Sequence, residues 1–230
     1  MEDKVLIADV GGNIGDTLAF FGCAFENHRV SKLLVFECEP SNIEMLIANT
    51  RQLAESRNWQ DARIRLVEKA VVADGATRVT LHINKSVYNR YRDSTYSPTT
   101  KDTRPLTVNA CNLLTELVGE LHDSQYTVLL LKIDIEGAEF PLLDTILDWM
   151  TALQAETHGL QRIKLMLEYS LDQERKLAEW FRRRDLCCSV FDTVLTKRKY
   201  SQVDLMASHV SKNTNNADIW RCDWKRRRTL

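Results

Sequence analysis

Apolar positions in this chain fall in short runs that alternate with stretches of mixed, amphipathic character. Val5 to Val10 is apolar except for Asp9, the pattern of a strand buried on both faces. Thr17 to Phe25 reads as the following helix, and Leu33 to Cys38 as a second strand. Ser41-Asn42-Ile43-Glu44 has the form of a capping box, opening a helix that carries Leu46, Ile47 and Leu53. Ile64 to Val72 predicts a third strand, ended at Asp74-Gly75, and Val79 to Ile83 a short fourth. Asn109 to Leu121 has helical spacing. Val128 to Ile135 is the most apolar strand pattern of all, and a helix is expected from Pro141 to about Leu153. Ile163 to Glu168 reads as a strand and Leu171 to Arg184 as a charged amphipathic helix. Val190 to Leu195 and Ile219 to Trp224 are expected to close the sheet as an antiparallel pair. This alternation predicts an α/β fold, a mostly parallel doubly wound sheet with a C-terminal antiparallel strand pair.

The 230 residues fit a single domain with a large core, and 44% hydrophobic residues with 8 Gly and 4 Pro exclude a disordered chain. Lys plus Arg (31) nearly cancel Asp plus Glu (32), so no global field attracts nucleic acid or membrane. No apolar run approaches the roughly 20 residues of a membrane span, and Met1-Glu2-Asp3-Lys4 does not resemble a signal peptide. Six cysteines form no C-x-x-C pair, so reduced thiols and an intracellular, cytoplasmic compartment are expected. The long irregular stretch, Asn84 to Pro105, is polar and tyrosine-rich.

In such a sheet, ligands bind outside the carboxyl ends of the strands, at the point where strand order reverses. The turn after the first strand reads Asp9-Val10-Gly11-Gly12-Asn13-Ile14-Gly15. That is D-x-G-x-x-x-G, not the G-x-G-x-x-G of a dinucleotide site. Glycines there let backbone approach a ligand, and the next helix offers unpaired N–H groups. The second strand ends in Glu37-Cys38-Glu39-Pro40, where an acid typically takes the hydroxyls of an adenosine ribose.

"DVGGNIGDTLAFF", "VFECEPSNIEMLIANT", "LKIDIEGAEFPLLDTIL" and "IKLMLEYS" resemble, in order, signatures of the FkbM-type methyltransferases. These are class I S-adenosylmethionine-dependent enzymes with a Rossmann-like fold, mostly methylating hydroxyl groups. The resemblance spans roughly Val5 to Ser170, and its most specific element is Lys132-Ile133-Asp134-Ile135-Glu136-Gly137-Ala138-Glu139, matching K-x-D-x-E-G-x-E. Gly12 stands where the family usually has alanine, and Glu37-Cys38 replaces an apolar pair. The resemblance implies that Asp9, Gly11 and Gly15 line the methionine end of the cofactor, that Asn13 shares their loop, and that Glu39 takes the ribose diol. Glu37 reads as a solvated strand-end charge.

Lys132, Asp134 and Glu136 face one way if their strand runs that far. Lys132 is expected deeper, neutralising Asp134 or taking part in catalysis. Asp134 is the first candidate for the base that takes a hydroxyl proton and Glu136 the second. The alternative is a divalent cation held by Asp134, Glu136, Glu139 and Glu168 through hard oxygen ligands. No histidine or cysteine in the cluster points to zinc. Glu139 and Glu168 would face the acceptor.

Neither [N/D]-P-P-[Y/F/W] nor a Pro-Cys pair occurs, which removes the signatures of amine methylation on bases and of cysteine-mediated methylation at pyrimidine carbon. Tyr88 and Tyr91, with Asn89, Arg90, Arg92 and Tyr96, mix cations and aromatics in the 84–105 stretch, as a lid over substrate or a solvated loop. The polar segment 211–230 ends in Lys225-Arg226-Arg227-Arg228, a solvated end or a phosphate contact. The expected acceptor is a hydroxyl of a sugar, lipid or other small metabolite. An RNA 2′-hydroxyl and a non-catalytic scaffold are the alternatives.

Overall fold

The computed structural model describes residues 4–15, 18, 29–56, 63–84, 94–95, 103–122, 126–135, 141–146, 162–169, 187–192 and 203–210. The main sheet has seven strands: β1 (Lys4–Val10), β2 (Arg29–Phe36), β3 (Arg63–Val67), β8 (Val128–Ile133), β9 (Arg162–Tyr169), β10 (Cys187–Asp192) and β11 (Val203–Val210). Their order is β10-β11-β9-β8-β1-β2-β3. The five strands from β9 to β3 are parallel, and β11 runs antiparallel to both β9 and β10.

The partner of β10 is Val203–Val210, not Ile219 to Trp224, which lies outside the described residues. Both faces are covered. Val5, Ile7, Leu33, Val35, Val128 and Leu130 pack with Leu46 and Ala54 of helix α1 (Pro40–Ser56). Leu6, Ala8, Val10, Leu129, Leu131 and Ile133 pack on the other face with Leu113, Leu117 and Leu121 of helix α2 (Leu113–His122) and with Leu142, Leu143 and Ile146. Continuous burial of β8 and near-continuous burial of β1 explain their largely apolar sequences, which Asp9 and Lys132 interrupt.

Three local expectations change. Helix α1 starts at Pro40, whose fixed φ and missing N–H suit a first helical position, and Ser41 sits within its first turn. The Ser41 hydroxyl bonds Glu39 Oε1 at 2.7 Å rather than forming a capping box with Glu44. The single strand expected over Ile64 to Val72 is two, β3 and β4 (Ala70–Val72), which separate at Glu68-Lys69 and join different sheets.

Asn109 to Leu121 is not one helix. Thr103–Asn112 is a ten-residue strand, β7, and Asn112 Oδ1 then caps α2 by accepting from Leu114 N (2.9 Å) and Thr115 N (3.3 Å). With β5 (Arg78–Asn84) and β6 (Ser94–Thr95), these strands form a second sheet in the order β4-β7-β5-β6. The expected irregular stretch therefore contributes two strand segments, while Tyr88, Tyr91 and Tyr96 lie outside the described residues.

Candidate functional site at the carboxyl ends of β1, β2 and β8

The chain enters the sheet at β1, runs outward through β2 and β3, and returns to the opposite side of β1 as β8. Strand order therefore reverses at β1, and the crevice lies at the carboxyl ends of β1 and β8. Asp134 N bonds Val10 O at 2.9 Å, keeping the chain beyond β8 against the end of β1.

The turn is folded by its glycines. Gly11 (φ +81°) and Gly15 (φ +89°) occupy backbone regions that a Cβ disfavours. A Cβ on Gly11 would stand 1.7 Å from the Asp134 carbonyl oxygen, so this glycine permits the close approach of the two chain segments. At Gly12 a Cβ would meet Val35 Cγ1 at 2.4 Å. Branching at Val35 fills the space, which accounts for glycine at this position. The turn is tied to β2 by Gly11 N and Gly12 N, both donating to Phe36 O at 3.1 and 2.9 Å. From α1, Asn49 Nδ2 donates to Ile14 O at 2.7 Å.

Register places Asp9 beside Lys132 on neighbouring parallel strands. Both are fully buried, and Lys132 Nζ lies 3.3 Å from Asp9 Oδ1, 2.8 Å from Gly11 O and 3.3 Å from Asp134 Oδ2. One ammonium thus joins two carboxylates and the carbonyl of the glycine turn. Asp134 keeps 21% of its side chain exposed, so one carboxylate of this group reaches the surface while the other stays beneath it. Strand β8 ends at Ile133, so strand alternation does not extend to Glu136. Glu136 and Glu139 lie outside the described residues. Glu168 belongs to β9, one position beyond Leu167, the partner of Ile133.

At the tip of β2, Glu37 is not a solvated charge. It is 7% exposed. Its Oε2 accepts from Asn13 N and its Oε1 from Cys38 N and Glu39 N, all at 2.8 Å. Burial raises the Glu37 carboxyl above its usual range, the three N–H donors work the other way, and Glu39 adds to the rise. Asn13, at φ +47°, presents its N–H to that carboxylate. Sequence patterning overlooked this role. The available signal was a glutamate placed directly after the apolar run Leu33 to Phe36, where burial would demand donors. Glu39 is also buried, and among the described residues Ser41 alone hydrogen-bonds its carboxylate. Between them, burial and the two glutamates push the Cys38 thiol up to about 12, so it is no nucleophile.

Among the described residues no group of three His, Cys, Asp or Glu side chains could hold a metal ion, and no helix is long and apolar enough to cross a membrane. The Methyltransferase FkbM domain model matches residues 9–186. A search of curated proteins finds no match. Among solved structures, the methyltransferase FkbM from Methylobacillus flagellatus is 15% identical and superposes with a TM-score of 0.52, covering 90% of this chain. The chain spans 44% of that protein's length. A precorrin-6y C5,15-methyltransferase from Geobacter metallireducens is 12% identical at a TM-score of 0.45, covering 92% of this chain and 82% of that one. The match over most of the chain, on a sheet that reverses at a glycine turn, shows that this chain belongs to the FkbM methyltransferase family, with the class I methyltransferase fold.

Proposed function

We propose that the chain is an S-adenosylmethionine-dependent O-methyltransferase acting on a hydroxyl of a sugar, lipid or other small metabolite. The observation that carries this reading is the Asp134 carboxylate, partly exposed at the end of β8, beside the Gly11–Gly15 turn and anchored by Lys132. The donor set fits the cofactor. Glu39 offers a buried carboxylate for the ribose diol, and the Asp9–Lys132–Asp134 group carries two carboxylates against one ammonium, a surplus that favours a cationic ligand.

When bound, S-adenosylmethionine supplies a methyl group on a sulfonium centre. Asp134 accepts the acceptor hydroxyl's proton on a carboxylate oxygen, leaving that hydroxyl oxygen the better nucleophile. Lys132 holds Asp134 and the Gly11 carbonyl in one place, so the base and the turn keep a fixed relation, which is where alignment lowers the barrier. Asp9, buried under the turn, pairs with Lys132 without touching the acceptor.

Asp134→Asn preserves size and removes the base, so methyl transfer should fall about 10²–10⁴-fold while S-adenosylhomocysteine still binds by calorimetry. Labelled methyl transfer into a metabolite extract, followed by mass spectrometry, reads the activity. Turnover near the wild-type rate would overturn the assignment. Label entering RNA and not small molecules would overturn the acceptor class.

A further inference from the structure

The geometry points to Glu37 as the positioning residue that sets the glycine turn and Glu39 at a fixed separation, and so shapes both ends of the cofactor crevice. This inference rests on the reading of that crevice as the cofactor site. Three backbone N–H groups converge on one carboxylate: Asn13 from the turn, Cys38 and Glu39 from the tip of β2. Two other bonds tie the turn to β2, from Gly11 N and Gly12 N, and both end on the backbone oxygen of Phe36. Among these ties Glu37 supplies the side chain, and its bond reaches furthest into the turn.

Asn13 explains why such a tie is needed. It is the one non-glycine residue with positive φ among the described residues, a conformation that costs free energy and persists only when neighbours hold it. Gly15 N, donating to Gly12 O at 2.7 Å, closes the turn locally, and the bond from the Asn13 N–H to Glu37 Oε2 adds a hold from a residue 24 positions away. The other oxygen, Oε1, takes the N–H of Glu39 itself and so fixes where the chain carries Glu39 as it leaves β2.

A carboxylate suits the task where an amide would not. Both of its oxygens accept, and all three facing groups are donors. Burying the charge is costly, and the convergent N–H groups offset part of that cost. With both oxygens used by the chain, Glu37 leaves the ribose hydroxyls to Glu39. The two acids, two residues apart, thereby divide the work: one builds the crevice and the other contacts ligand.

Glu37→Gln and Glu39→Gln separate these roles in the full chain. Whichever way its amide turns, the glutamine introduced by Glu37→Gln presents an N–H₂ to at least one N–H donor, so Asn13 or the Cys38–Glu39 pair loses its acceptor. In the ligand-free protein, amide hydrogen exchange at Asn13, Cys38 or Glu39 should accelerate by about tenfold in Glu37→Gln and stay unchanged in Glu39→Gln. Affinity for S-adenosylhomocysteine should fall about tenfold in both variants, whereas kcat at saturating cofactor should hold in Glu37→Gln, giving an effect on KM alone. In the wild type, the amide proton resonances of Asn13, Cys38 and Glu39 should titrate together with one midpoint, a test that needs no variant.

Unchanged exchange in Glu37→Gln, or three unrelated titrations in the wild type, would overturn the inference. Lost affinity with unchanged exchange would overturn it too, by placing Glu37 on the ligand directly. Failure of the wild type to bind S-adenosylhomocysteine would defeat the cofactor reading instead, and the exchange and titration results would still decide the role of Glu37.

Discussion

Two charged groups are built into the same sheet, and they are made differently. On the α2 side, Lys32 of β2 and Arg65 of β3 reach two glutamates of that helix. Lys32 bonds Glu120, Arg65 Nη1 lies 2.8 Å from Glu120 and Nη2 2.6 Å from Glu116, with Lys69 at 3.8 Å from Glu116. There three cations meet two carboxylates, and Arg65 is 44% exposed. At the crevice, Asp9 and Lys132 are closed off from solvent, and two carboxylates share one ammonium. Burial works to raise the Glu120 carboxyl, but hydrogen bonds from Lys32 and Arg65 win and hold it below its usual value. Glu37 moves the opposite way, because its partners are uncharged N–H dipoles, which burial outweighs. A partly exposed network, with one cation more than its carboxylates, fastens a helix to a sheet. A buried group with surplus negative charge stabilises the fold poorly, and its place at the switch point is what supports the ligand role proposed for it.

The contrast breaks most sharply at Lys132. Lys132→Met keeps the length and strands two buried or half-buried carboxylates, so unfolding free energy should drop by about 3–5 kcal/mol in a denaturant titration. A loss under about 1 kcal/mol would put this group in the same class as the rim network. Next in size is the ribose contact proposed for Glu39. Glu39→Ala should weaken S-adenosylhomocysteine by about 1–3 kcal/mol in calorimetry, because the diol hydroxyls lose their acceptor. Unchanged affinity would move that contact elsewhere.

A smaller effect belongs to Glu37, where N–H donors oppose burial. Its carboxyl is raised in the folded chain, so folding is favoured most below its unfolded value near 4.5, and that contribution is lost as pH rises through the folded value. Thermal melts from about pH 4 upward should show the wild type losing ground to Glu37→Gln across that window. A flat difference between the two would remove the shift. The smallest effect is at the rim. Arg65→Ala should cost about 0.2–1 kcal/mol, less in high salt, since its side chain is 44% exposed and Lys32 still serves Glu120.

The order of strands and helices was legible wherever burial makes a sequence uniform, as in β1 and β8. The glycine turn was legible too, because positive φ at Gly11 and Gly15 leaves few residue types to choose from. The acid after β2 was legible only in part. Glu37 and Glu39 carry the same side chain two residues apart, and which one faces the turn depends on where Asn13 points its N–H.

Local pattern therefore marked β1, β2, β8 and β9 and the turn that follows β1, since periodicity reports burial and burial is set strand by strand, but it did not mark β11 or the second sheet. Tertiary structure alone decided three things. Asn109 to Asn112, where spacing favoured the start of a helix, became the end of β7 because Arg78 pairs with Asn109 and Ala70 to Val72 pair with Ala110 to Asn112. The ion pair formed because parallel register sets Asp9 against Lys132, far along the chain. Glu37 turned inward because backbone donors from two separate segments converge on it. In each case a deciding partner is distant in sequence, and no local pattern contains it.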